Sequence, residues 1–457
     1  MLSGLFSPKP PLPVREKAWT EVRMGWLARQ FGINRLRDAE VVLHDDRWLR
    51  EDYAGTAGDA RRFLDHLAGF MQTDPSSIQF KVGEDEGECG DACQRQPGVL
   101  CLSEGQLADL PRLAAVLSRE LAVQMLASHS QLQSDRDAEW VADLLPLYLG
   151  LGVFTANAAL SEGTEAQGRH GRCATRRHGC LNPCMIGYAL ALFAWVRDER
   201  SPEWGKFLLP EAADMLASGL RYLHATKDSL LSLETSYSAD RPTPWCALLE
   251  QIEGNSLSAC VAGLWELAQR PRDAREDLGQ AVPLLQRRLS DRSAAIRAEA
   301  ARCLAALGSA TEPALDDLIQ CLDDTDGEVR VAVVYALGRL AMQPETVLPH
   351  LLEALDDRAL VRPAAVAIAA YGPPAGSEVP KLAVALLQAL AETEYDNVDA
   401  LVCAVEATAA DPAAELRRVL DDCDAESRPQ AEQILAHCHP VSTGAGAPGA
   451  WFGEWRQ

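Results

Sequence analysis

Leu322-Asp-Asp-Thr-Asp-Gly-Glu-Val329-Arg330 lies at the centre of a pattern that recurs through the C-terminal half of this chain. It has a counterpart upstream, Leu289-Ser-Asp-Arg-Ser-Ala-Ala-Ile296-Arg297, and one downstream, Leu355-Asp-Asp-Arg-Ala-Leu-Val361-Arg362. The leucines recur every 33 residues, and the arginines follow at 33 and then 32. Each arginine opens an alanine-rich amphipathic stretch, such as AEAARCLAALG or VAVVYALGRLA, and each leucine closes another, such as AVPLLQRRL or VLPHLLEAL. A fixed period with two helical patterns per unit reads as a helical hairpin repeated along the chain. The aspartates between the helices are expected to cap the second helix by accepting hydrogen bonds from its first-turn amides. The arginine is expected to reach a neighbouring aspartate and tie repeats together. One hairpin cannot bury its apolar face alone, so the units must stack into a continuous core.

These units resemble HEAT repeats in their short bacterial-type form. The resemblance runs over roughly residues 275–437. It weakens after Ala375, where the Asp…Arg signature is lost although helical periodicity continues. It implies an armadillo-like α-solenoid over 256–440 that exposes an extended surface, made mainly of the second helices, to a protein partner.

Working outward, the 457 residues suggest two or three domains. With 66 acidic against 43 basic residues, the net charge of -23 disfavours a phosphate-backbone partner, so nucleic acid is not expected. The short basic stretch at Arg169, Arg172, Arg176 and Arg177 is the one local candidate against that. No run approaches about 18 apolar residues, and MLSGLFSPKPPLP is not a basic-then-apolar leader, so no membrane association is expected. The 13 cysteines are scattered and odd in number. Several, such as Cys260, Cys303, Cys321 and Cys403, fall on helical apolar stripes, where a reduced thiol acts as a small hydrophobe; a cytoplasmic location follows.

Residues 1–228 read as an α+β domain. Trp19, Val22, Trp26 and Leu27 share a face of a first helix, and Phe63, Leu64, Leu67 and Phe70 a face of a second. VVLH (41–44), IQFKV (78–82) and GVLCL (98–102) read as strands. Helices follow over about 111–128 and 135–158. The segment 229–255, with TSYSADRPTPW, reads as a linker, and 441–457 as a flexible tail whose aromatics can dock on a surface. The expected fold class is therefore mainly α: an α+β N-terminal domain followed by a HEAT-type solenoid.

The two helices resemble the site of gluzincin-type zinc metallopeptidases. In that family one helix carries His-Glu-x-x-His, whose imidazoles grip zinc from one face; a later helix carries Glu-x-x-x-Asp, giving a third ligand and a supporting carboxylate. On that template Arg119-Glu120-Leu-Ala-Val123 occupies the first motif. Glu120 matches the general base, while Glu139 and Asp143 match the ligand and its support. Arg119 and Val123 stand where both histidines belong, and neither offers a metal a donor atom. The resemblance thus implies a degenerate, non-catalytic peptidase with no cofactor, in which the Arg119 guanidinium pairs with Glu139 or Asp143 in place of a metal. The alternative from the residues themselves is that RELAV belongs to an ordinary amphipathic helix.

Cysteine and histidine also gather at Cys89, Cys93 and Cys101 and at His170, Cys173, His178, Cys180 and Cys184. Loop residues of these types can form a structural zinc site, although the paired C-x2-C spacing is missing. They carry the rival functional reading, a zinc-dependent hydrolase with a non-standard Cys/His site. Phosphate-binding glycine loops and a G-x-S-x-G elbow are absent from the sequence, and the repeat aspartates do not complete a calcium-loop register.

Overall fold

The computed structural model of the chain describes residues 9–43, 53–83, 99–127, 137–165, 181–231, 243–270, 278–391, 395–423 and 428. The chain divides into two units, Met1–Pro242 and Thr243–Gln457. The division falls inside the stretch expected to be a linker, but part of that stretch is ordered differently: 245–253 is a helix and belongs to the second unit.

The second unit is a row of helical hairpins. In the numbering used from here, its helices are α10 (Trp245–Glu253), α11 (Leu257–Gln269), α12 (Leu278–Leu289), α13 (Ala294–Leu307), α14 (Leu315–Gln320), α15 (Gly327–Leu340), α16 (Pro344–Glu353), α17 (Val361–Tyr371), α18 (Val379–Ala391), α19 (Tyr395–Thr408) and α20 (Pro412–Asp422). Even-numbered helices α10 to α18 each pack on the helix that follows, and the second helices α11, α13, α15, α17 and α19 pack on one another in succession. Small residues permit that close approach. A Cβ on Gly338 of α15 would lie 2.6 Å from Cα of Ala367 on α17, nearer than a side chain can come. The stripe residues Ile296, Leu304, Val329, Val333, Leu337, Ala364 and Ile368 are buried between the layers.

The inter-helix aspartates act differently from simple caps. Asp326 does cap α15, accepting from the amides of Glu328 (2.9 Å) and Val329 (3.4 Å). The recurrent aspartate is instead the one two residues past each leucine. Asp291, Asp324 and Asp357 accept from the amide two residues on, at Ser293 (2.8 Å), Asp326 (2.9 Å) and Ala359 (3.0 Å). At Asp324 and Asp357 the carboxylate placed by this turn accepts from the arginine of the preceding repeat, whereas Asp291 accepts from Arg288 of its own repeat at 2.7 Å. In the third repeat the loop is one residue shorter, which explains the 32-residue arginine spacing. Leu360 there fills the buried place, while Val361 is half-buried.

The first unit holds α1 (Val14–Phe31), α2 (Ile33–Arg37), α3 (Ala57–Met71), β1 (Gln79–Gly83), β2 (Val99–Ser103), α4 (Glu104–Ala108), α5 (Leu110–Ala127), α6 (Asp137–Tyr148), α7 (Gly152–Glu165), α8 (Pro183–Val196) and α9 (Pro210–Thr226). β1 and β2 pair in parallel, Gln79 opposite Val99 through Gly83 opposite Ser103. Among the described residues this pair is the whole of the strand content, sparser than the α+β reading expected. Val41–Leu43 is not a strand; it runs past a helix turn, with the Val42 amide donating to the Gly150 carbonyl at 3.1 Å.

The single long helix expected over 135–158 breaks after Tyr148. Gly150 takes φ 96°, where a Cβ would fall 2.2 Å from the Glu40 carbonyl oxygen, and the Leu151 amide closes the turn on Pro146. The core helix is α8. Pro183 opens it behind an Asn182 cap, and nearly every side chain to Val196 is buried, as expected of a helix apolar on all sides. It packs on α1, α6, α7 and most closely on α9, where a Cβ on Gly187 or Gly219 would overlap Met215 or Ala191.

Candidate functional site

In the second unit the second helices are buried or half-buried along most of their length, with Glu328 and Arg339 of α15 and Glu406 of α19 among their exposed residues. Arg297 spans repeats on this row: Nε and Nη2 donate to the two oxygens of Asp324, both at 2.7 Å, and Nη1 donates to the Asp291 carbonyl at 2.9 Å. One repeat on, Arg330 donates to the Asp357 carboxylate (3.0 Å) and the Asp324 carbonyl (2.9 Å). The arginine therefore reaches back to its own repeat's backbone and forward to the next repeat's carboxylate. Hydrogen bonds from Arg297 hold the Asp324 carboxyl below the usual carboxylate range, and the same contact raises Arg297 further.

A second ladder crosses the same helices. Glu299 on α13, 3% exposed, accepts from Trp265 Nε1 on α11 (2.8 Å) and from Arg302 Nη1 (2.6 Å). The other arm of Arg302 donates to the exposed Glu328 of α15 at 3.3 Å. Farther along α15, Arg339 donates to the Tyr335 hydroxyl at 3.0 Å. Neither the buried Glu299 nor its two donors was singled out by the sequence reading. The signal for it was a lone acid in the alanine stripe of α13, a place where burial demands partners.

In the first unit, α5 and α6 pack together and bring two of the residues singled out in the sequence into contact. Arg119 Nε donates to Asp143 Oδ1 at 2.7 Å, with the arginine side chain 28% exposed and the aspartate 3%. The other Asp143 oxygen accepts from the Leu181 amide at 3.1 Å, so this carboxylate joins three segments. Glu139 lies exposed one turn earlier, and Val123 turns a large apolar side chain outward, 38% exposed. Glu120 is half-buried, and burial raises its carboxyl above the usual range although Arg119 opposes the shift. The guanidinium of Arg119 and the isopropyl group of Val123 offer zinc no donor atom.

Of the Cys/His residues, Cys101 on β2 and the exposed Cys184 at the start of α8 are described. Cys89, Cys93, His170, Cys173, His178 and Cys180 lie outside the described residues, as do the arginines at 169–177. Among the described residues no three His, Cys, Asp or Glu side chains stand together as a metal site.

A buried ion network was missed altogether. Lys17 and Glu21 on α1 are both fully buried and paired at 3.0 Å. Lys17 also reaches the Asp228 carbonyl (2.9 Å) and carboxylate (3.2 Å) beyond α9. Tyr188 donates to Glu21 and Tyr222 to Asp228, each at 2.5 Å, and the Leu230 amide completes Glu21 at 3.0 Å. Burial pushes up Glu21 and both tyrosines. The readable signal was spacing: Lys17 and Glu21 share the face of α1 that buries Met24 and Ala28. The network pins the segment after α9 to α1 and α8, a structural task.

Comparison with known proteins bears on the second unit. A family model for HEAT repeats matches residues 248–326 and 281–370. The chain thus carries HEAT repeats in its C-terminal region, including the α10–α11 hairpin that the sequence reading left partly in a linker. No curated protein matches the chain. Among the described residues no helix is long and apolar enough to cross a membrane.

Proposed function

We propose that this chain is a non-catalytic, cytoplasmic scaffold whose hairpins form an armadillo-like α-solenoid and bind a protein partner on the solvent side of the second helices. The observation that carries this reading is the unbroken row α11, α13, α15, α17, α19, set in register by the Arg297–Asp324 and Arg330–Asp357 bridges. A stack fixed at this spacing offers a wide, rigid surface at little ordering cost, which is what a scaffold needs. The first unit is a pseudoenzyme in this reading, a degenerate relative of the HExxH peptidases in which Arg119 supplies the positive charge once held by metal. Its contact with Asp143 supports that role.

The test is affinity capture from the native host with the full chain, with Val329→Asp, which disrupts the stack, and with Arg119→Leu. A specific protein retained by wild type and Arg119→Leu but lost with Val329→Asp is the expected result. Capture indifferent to the state of the repeats rejects the reading.

A further inference from the structure

The repeats segregate charge. No lysine or arginine occurs between Cys303 and Val329 or between Leu340 and Asp357, the stretches that supply first helices α14 and α16, whereas first helix α12 ends in Arg287 and Arg288. The second helices α13, α15 and α17 instead carry arginines 297, 302, 330, 339 and 362 against glutamates 299 and 328. In a chain of net charge -23 these three helices have the opposite sign, while α11 and α19 at the ends of the row carry acids and no base. Arg297 and Arg330 are committed to the bridges between repeats.

Arg302 and Arg339 are arranged otherwise. The buried Glu299 grips Arg302 and Trp265 together, so both are held in place before any partner arrives. Among the described residues the outer arm of Arg302 meets the exposed Glu328, at the long distance of 3.3 Å. The exposed Arg339 is oriented by a neutral hydroxyl, that of Tyr335. The 33-residue repeat sets Tyr335 at the register position of Arg302 on the neighbouring helix. Tryptophan, tyrosine and arginine are the side chains in which binding energy concentrates at interfaces, and a pre-oriented guanidinium matches a carboxylate.

We propose that the patch formed by Trp265, Arg302, Tyr335 and Arg339 takes an acidic segment of a partner protein, whose carboxylates displace Glu328 from Arg302 and pair with Arg339; this rests on the scaffold reading above and names the chemistry of the occupant. The chain's acidic groups farther away do not prevent it, because at physiological salt charges beyond about 8 Å are largely screened.

The full chain is titrated against three fluorescein-labelled peptides, one of Glu and Leu, one of Gln and Leu and one of Lys and Leu. The Glu peptide is expected to bind in preference to both others and to weaken as salt rises. Arg339→Glu is expected to weaken it about tenfold, a loss of one strong charged contact. Arg287→Glu, the same charge change on the exposed side of first helix α12, serves as control and is expected to leave it unaltered. Circular dichroism melts confirm that both variants fold. Equal binding of the three peptides, or equal weakening by the two variants, overturns the proposal. If host capture depends on intact repeats yet is indifferent to Arg339→Glu, the scaffold reading stands and this one fails.

Discussion

Replacing Arg297 by leucine removes the guanidinium that joins the α12–α13 hairpin to the α14–α15 hairpin while keeping an apolar stem in its place. Four hydrogen bonds go, two of them to a carboxylate with both partners mostly buried, 15% exposed for Arg297 and 11% for Asp324. An exposed pair contributes about 1 kcal/mol or less, and removing one side of a fully buried pair costs about 3–5 kcal/mol. This bridge lies between those limits, so a loss of about 2–3 kcal/mol is expected. Asp324→Asn is the matching change, because an asparagine still accepts from the Asp326 amide and keeps the turn.

The double-mutant cycle of the two should give a coupling of about 1.5–2 kcal/mol. Hydrogen exchange read on peptides from α13 and α15 separates this from the unfolding of the first unit, and about 2 kcal/mol appears there as roughly thirtyfold faster exchange. The sign with pH is also fixed. Hydrogen bonds from Arg297 lower the Asp324 carboxyl, so its contribution is complete above the ordinary carboxylate range and is lost as pH falls through the lowered value. Wild type and Arg297→Leu should therefore converge in acid. A coupling under about 0.5 kcal/mol, or a gap that persists through the acid range, refutes the bridge as a tie between repeats.

Three further outcomes are expected. Val329→Asp, at a fully buried position, should cost about 3 kcal/mol or more, whereas Glu328→Gln on the exposed adjoining position should stay within about 0.5 kcal/mol; equal melting temperatures would mean the helix face is misassigned. Arg119→Leu leaves the buried Asp143 carboxylate with the Leu181 amide but without this guanidinium, and should destabilise the first unit by about 2–3 kcal/mol in urea titration; a negligible change would make the contact incidental. Burial raises the Glu120 carboxyl, so its contribution is most favourable below the ordinary carboxylate range and declines as pH rises through the raised value. Glu120→Gln should accordingly gain in melting temperature over wild type as pH is raised from the acid side, and a gap independent of pH would contradict that environment.

The repeats were legible because their signal is redundant. Period, apolar stripe, aspartate turn and arginine all coincide in Leu322–Arg330, so each confirms the others. What that pattern did not carry was direction. From spacing alone Arg297 was expected to find a neighbouring aspartate, but the forward reach to Asp324 and the backward reach to the Asp291 carbonyl depend on how hairpins stack. The α10–α11 hairpin was partly lost to a linker because Pro242, Pro244, Gly254 and Asn255 punctuate it, while its helix α10 is only nine residues long. In the first unit, periodicity joined α6 to α7 across Gly150, since LGLGVF is apolar throughout and the break rests on one positive-φ glycine. The contact of Arg119 with Asp143 was visible as a possibility from matched positions on two helices. The Lys17–Glu21 pair had a signal in its spacing, but its tie to Asp228 did not, because Lys17 and Asp228 meet across 211 residues through tertiary packing that no local pattern encodes.

The most direct test is hydrogen exchange on the full chain with and without the protein it captures from its host. Protection on binding is expected in peptides covering the solvent side of α11, α13 and α15, with Trp265, Arg302 and Arg339 among them. Protection confined to the first helices, or to residues before Pro242, would contradict a scaffold that works through its second-helix row.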